Sequence, residues 1–178
     1  MIYLLDRFKS ISENCEGVTL DLGSAQGKLH AYLRKNKKIS KLIGVDIVKN
    51  SNVDVKWDLN RFPYPFKNNS FDTIVAGEII EHLKEPCRFL KEIKRILKKN
   101  GKLILTTPNS QMLIYKTWKH PQHKYSWDIW TLERLLCAAG FKIIEKGFTN
   151  DSNRPFYSKF IVTLFPKKSW FIIFICKK

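Results

Sequence analysis

The sequence predicts an α/β fold: a doubly wound, mostly parallel sheet of seven strands with helices on both faces. Three observations predict it. Short apolar or β-branched runs alternate with segments of helical period. A small-residue turn, Gly23-Ser24-Ala25-Gln26-Gly27, follows the first core strand. The length, 178 residues with 44% hydrophobic residues, suits one well-buried domain and is short for two.

The elements follow in order. Leu4, Leu5, Phe8 and Ile11 fall at helical spacing and predict a lead-in helix over 3–13. Val18 to Leu22 is the first strand, and Gly27 to Lys37 a helix with Leu29, Tyr32 and Leu33 on one face. Lys41 to Val48 and Asp54 to Leu59 are the second and third strands, and Phe71 to Gly77 the fourth. Pro86 opens a helix at its first turn, where its missing N–H costs nothing. Phe89, Leu90, Ile93, Ile96 and Leu97 keep its period, and Asn100-Gly101 is its expected stop. Lys102 to Thr107 is the fifth strand, Thr131 to Ala139 a helix, Phe141 to Lys146 the sixth strand and Ser169 to Cys176 the seventh. The expected division is one domain over 1–178: a lead-in helix in 1–16, a core in 17–148 and a C-terminal segment in 149–178. Residues 150–168, with Arg154-Pro155-Phe156-Tyr157, read as neither helix nor strand.

The charge is unusual. Lys and Arg total 32 against 16 acids, a formal net charge of +16. Such a surplus raises nucleic acid or an acidic membrane as partner. Yet 25 of the 32 are Lys and 7 are Arg, and Arg is the residue suited to bidentate phosphate recognition. The surplus fits composition bias as well as a binding surface. The runs Arg34 to Lys38 and Lys94-Arg95 with Lys98-Lys99 are the candidate RNA contacts; solvated helix faces are the favoured explanation of them. Cys15, Cys87, Cys137 and Cys176 are scattered without a CxxC pair, which predicts neither a zinc site nor a disulfide framework. With no signal-peptide pattern and no stretch of about 18 apolar residues, the expectation is a cytoplasmic chain without a transmembrane segment.

Doubly wound sheets bind ligands at the carboxyl ends of their strands, so chemistry is sought there. The first strand ends Asp21-Leu22-Gly23-Ser24-Ala25-Gln26-Gly27. A dinucleotide fingerprint wants small residues at its first, third and sixth positions; Lys28 occupies the sixth. A first, third and fifth pattern, Gly23, Ala25 and Gly27, fits. With Asp21 two residues ahead, the stretch resembles the first motif of class I S-adenosylmethionine (SAM) methyltransferases, with Ala25 in place of the middle glycine. Phe62-Pro63-Tyr64-Pro65-Phe66, Asn68-Asn69-Ser70-Phe71-Asp72 and Lys98-Lys99-Asn100-Gly101 resemble that family's approaches to its fourth and fifth strands. The matches cover about residues 17–145.

The resemblance implies a Rossmann-like fold with SAM as cofactor. It implies a cofactor site formed by Asp21, Leu22, Gly23, Ser24 and Gly27, then Asp46 and Ile47, then Asp58 and Leu59, and finally Gly77. Asp21 suits the cationic amino-acid end, directly or through water. Asp46 suits the two ribose hydroxyls, and Asp58 the adenine amino group.

The fourth strand runs into Gly77-Glu78-Ile79-Ile80-Glu81-His82-Leu83. If a helical turn follows, Glu78, Glu81 and His82 share one face. Such a set could bind a divalent metal such as Mg²⁺, with His120 or His123 as a further ligand. The run resembles those of quinone-biosynthesis O-methyltransferases and of small-RNA 2′-O-methyltransferases that modify a 3′-terminal nucleotide; for the latter, His123-Lys124-Tyr125-Ser126-Trp127 adds to the likeness. Metal-free members carry a similar run. Glu78, His82 and His123 are the candidate bases. The loop from Asn109 to Asp128, with Tyr115, Trp118, Tyr125 and Trp127, is expected to close over the acceptor, by stacking on it or as hydrophobic cover. The leading expectation is methyl transfer to a small-molecule or lipid-like acceptor at oxygen. The alternatives are metal-assisted RNA methylation and a non-catalytic module that kept the fold.

Overall fold

A computed structural model describes residues 2–4, 6–112, 121–150 and 170–178. Its elements are β1 (Ile2–Leu4), α1 (Arg7–Glu13), β2 (Gly17–Leu22), α2 (Lys28–Leu33), β3 (Ile39–Asp46), β4 (Val55–Lys56), β5 (Phe71–Gly77), α3 (Pro86–Ile96), β6 (Leu97–Pro108), α4 (Ile129–Ala138), β7 (Lys142–Thr149) and β8 (Phe171–Lys177). The strands form one sheet in the order β1-β7-β8-β6-β5-β2-β3-β4. Among the described strands only β8 runs antiparallel, to both β6 and β7. Each of the seven expected strands has its counterpart, and β1 adds an eighth at the edge.

That edge departs from the expected lead-in helix. Residues 2–4 pair in parallel with Gly147–Thr149. The helix starts only at Arg7, because the Asp6 side chain accepts from Lys9 N at 2.9 Å and caps it. A second departure lies at Asn100-Gly101. α3 already ends at Ile96, where Leu97 turns extended, and Asn100 takes φ 67° inside β6.

Alternation along the central strands explains the layers. Ile74 and Ala76 face one side with Leu103 and Leu105; Val75 and Ile104 face the other. The first side is covered by Phe89, Leu90, Ile93 and Ile96 of α3 and by Leu132 and Leu136 of α4. The second is covered by Ile11 of α1 and Leu33 of α2. Burying each such side chain contributes about 1.5–3 kcal/mol. No helix among the described residues is long and apolar enough to cross a membrane. All four cysteines are free thiols.

An ion pair ties α3 to the segment before β5. Both oxygens of Glu92 accept from the Arg95 guanidinium, and Oε2 also accepts from Tyr64 N. Arg95 donates further to the Phe66 and Tyr64 carbonyls. The Arg95 hydrogen bonds hold the Glu92 carboxyl below its ordinary range. A depressed carboxylate stabilises the fold above its unfolded pKa, and the gain disappears as pH falls through the folded value. Glu92→Gln should therefore cost about 2 kcal/mol near neutral pH. The difference from the native chain should vanish in acid, as measured by thermal unfolding across pH.

Candidate functional site

The strand order reverses between β2 and β5: β3 and β4 lie outward of β2, while β6 lies beyond β5. This is the switch point at which such sheets open a crevice. The Gly23–Gly27 turn, Asp46, Gly77 and Glu78 all stand at carboxyl ends around it.

Gly23 and Gly27 take φ 79° and 76°, the left-handed region that favours glycine. They bracket a short 3-10 turn, Ser24–Gln26. The Ser24 hydroxyl donates to the Asn52 carbonyl at 2.9 Å. Asp46 ties this turn to β3, since Oδ2 accepts from Ala25 N and Oδ1 from Val48 N, each at 3.0 Å. A carboxylate offers about four acceptor sites, so two remain for a vicinal diol. Beside it Ile47 and Val48 are 57% and 59% exposed, an apolar ledge at the same strand end. A tight glycine turn, a strand-end carboxylate with spare capacity and an apolar ledge fit an adenosine-type cofactor.

The other sequence-predicted cofactor residues are placed as follows. Asp21 is buried, and its Oδ2 lies 2.9 Å from His30 Nδ1. Asp58 follows the short β4, and its Oδ1 accepts from Asn60 N and Nδ2. Leu22 and Leu59 are core residues, and Gly77 pairs with Thr106.

Glu78, Glu81 and His82 do not share a helical face. Glu78 adopts φ 58°, a left-handed conformation that costs a non-glycine residue about 1–2 kcal/mol. A 3-10 turn over Ile80–His82 follows. Glu78 Oε1 accepts from the Thr106 hydroxyl at 3.0 Å and lies 3.3 Å from Arg7 Nη1. The Arg7 guanidinium sits 4.0 Å from the centre of the Phe171 ring. Glu81 is 1% exposed, and Oε2 accepts from Thr107 at 2.9 Å. Its other oxygen, Oε1, is buried and has no hydrogen-bond partner among the described residues. Burial first, then the nearby Glu78 carboxylate, push the Glu81 carboxyl well above its ordinary range. Successive strand residues face opposite sides, so Thr106 and Thr107 draw the two glutamates apart.

Three of the four expected metal ligands do converge. Donor atoms of Glu81, His82 and His123 lie within 4.8 Å of one another. The His82 and His123 rings meet edge to face, with centroids 4.7 Å apart. His82 Nδ1 donates to the Gln122 carbonyl at 3.2 Å. Lys124 N and Tyr125 N both donate to the Glu81 carbonyl, holding the His123 segment against the turn. Glu78 is outside this cluster.

Tyr125 and Trp127 stack on each other, centroids 5.4 Å apart. Together with Pro86, Cys87, Arg88 and Lys91 they line an open cleft of about 770 Å³. That cleft does not include the glycine turn. Tyr115, Trp118, His120 and Arg154 to Tyr157 lie outside the described residues. Part of the basic stretch over 94–99 serves the fold: Lys94 donates to the Gly140 carbonyl and Lys98 to Asp72. Arg7, Thr106 and Thr107 are partners of site residues that no motif marks, and His30, which reads as a structural residue of its helix, is another. Two adjacent threonines at a strand's carboxyl end were the available signal.

The family described as a methyltransferase domain matches residues 3–146. The chain belongs to that family. An uncharacterized protein of Methanocaldococcus jannaschii is 30% identical over 107 residues, 60% of this chain and 47% of its own length. The ubiquinone/menaquinone biosynthesis C-methyltransferase of Desulfotalea psychrophila is 25% identical over 136 residues, covering 68% and 53%. The chain thus spans about half the length of these curated relatives. The crystal structure of a SAM-dependent methyltransferase from Archaeoglobus fulgidus superposes with a TM-score of 0.72 at 20% identity, over 97% of this chain and 90% of that one.

Proposed function

We propose that this methyltransferase-domain chain binds SAM and transfers its methyl group to a hydroxyl of a small-molecule acceptor. The observation that carries the reading is Asp46, an acid with spare acceptor capacity bonded to the glycine turn at the switch point. SAM supplies a methyl group already activated on a sulfonium, so the protein's work is placement and exclusion of water. An oxygen acceptor must also lose a proton. His82 and His123, whose donor atoms lie within 4.8 Å of Glu81 and of each other, are the candidate groups to take it. Glu78 is committed to Arg7 and Thr106, and acts by shaping the strand end.

The Glu81–His82–His123 cluster favours a second reading, in which it holds a divalent cation. The buried, unpartnered Glu81 Oε1 is the specific observation. Two imidazoles and one carboxylate suit Mn²⁺, Fe²⁺ or Zn²⁺ better than Mg²⁺. A bound cation would lower the pKa of an acceptor hydroxyl.

Turnover of methyl-labelled SAM with hydroxylated small-molecule and RNA pools, with and without chelator, tests both. Label in the small-molecule pool, indifferent to chelation, is the expected result. Label that chelation abolishes would establish the second reading, and label confined to the RNA pool would overturn the small-molecule acceptor. Glu81→Gln should lower turnover at least about tenfold while leaving SAM affinity unchanged.

A further inference from the structure

We propose that His30 is a positioning residue for the cofactor site: its imidazole keeps the Asp21 carboxylate ionised beneath the glycine turn, and so sets the pH range over which the chain binds SAM. This rests on the SAM-binding reading above.

The pair is built into the core. His30 is 1% exposed and Asp21 2%, with Nδ1 and Oδ2 2.9 Å apart. An ionised carboxylate only accepts, so Nδ1 carries the proton of this bond. The ring is also seated against β3: a Cβ on Gly44 would stand 3.0 Å from His30 Cε1 and 2.6 Å from Ser24 Oγ. Gly44 therefore leaves the space into which α2 brings the imidazole. Burying two polar side chains under a ligand turn is costly unless they satisfy each other.

The surrounding charges explain the dependence. Burial pushes the Asp21 carboxyl up; the hydrogen bond and charge of His30 pull it down; the Asp46 carboxylate on β3 pushes it up. Cys15, after α1, also faces Asp21, but burial raises its thiol to about 12, so it is neutral at physiological pH. His30 is the group that opposes burial and Asp46. Without it, Asp21 takes up a proton at higher pH, and the negative charge offered to SAM's cationic end is lost.

SAM affinity measured by calorimetry between about pH 6 and 9 tests this. His30→Leu should bind SAM at least about tenfold more weakly at neutral pH and recover as the pH rises. His30→Asn, whose Nδ2 can donate as Nδ1 does, should restore most of the affinity at neutral pH. Asp21→Asn should bind weakly at every pH, and keeps the test available if His30→Leu does not fold. A His30→Leu deficit that does not recover with pH, or Asp21→Asn binding with the native profile, would overturn the proposal. Native-like affinity of His30→Leu throughout would do the same while leaving the SAM-binding reading intact. A native chain that binds no SAM at any pH would overturn both.

Discussion

Asp46→Ala is expected to weaken SAM binding about a hundredfold. Two effects combine. The carboxylate anchors the glycine turn through Ala25 N and orders its own strand end through Val48 N. Its remaining lone pairs are the acceptors offered to the ribose hydroxyls. Hydrogen bonds to a charged group contribute about 1.5–3 kcal/mol each, so losing two ligand bonds and loosening the turn reaches that magnitude. Asp46 is partly buried at the sheet's rim rather than in the core, so the variant should still fold. Calorimetric titration with SAM, alongside a thermal melt, separates the two effects. A variant that binds as the native chain does would remove Asp46 from the site.

Gly44→Ala is expected to destabilise the fold by about 3 kcal/mol and to impair SAM binding with it. The new methyl would fall on the Asn52 carbonyl oxygen, with Ser24 Oγ and His30 Cε1 also crowded. The nearest obstacle is backbone, so no rotamer change relieves it. Relief requires the 50–54 segment to move away from β3. That segment holds the Ser24 hydroxyl through the Asn52 carbonyl, and Asp54 Oδ2 accepts from Gly44 N at 2.7 Å. The glycine turn therefore shifts with it. A lowered melting temperature together with weaker SAM binding is the expected pair of results. An unchanged melting temperature would show that the site tolerates the methyl.

The sheet was legible because its evidence is local. Ile74, Val75 and Ala76 read as a strand from their own neighbours, and Phe89 to Ile96 as a helix from their spacing. The glycine turn and Asp46 were legible for a related reason: strand ends in a doubly wound sheet all point to one crevice. The lead-in helix was misplaced because Leu4 fits a helical spacing equally well. Pairing with β7, a strand more than 140 positions away, is what makes residues 2–4 extended.

The site chemistry divides in the same way. Residue types and spacing alone determined a glycine turn after β2, an acid after β3, and two glutamates and a histidine after β5. Only the tertiary structure decided what each of them does. Glu78 follows Arg7 and Thr106, Glu81 follows Thr107, and His82 meets His123 from 41 positions away. Asp21 turns inward to His30, although the two are only nine positions apart. Spacing specifies which residues a strand end presents. Whether a carboxylate stays charged, and which partner it takes, depends on burial and on groups delivered by other elements. Those are set only when the sheet closes and α1, α2 and the His123 segment pack against it.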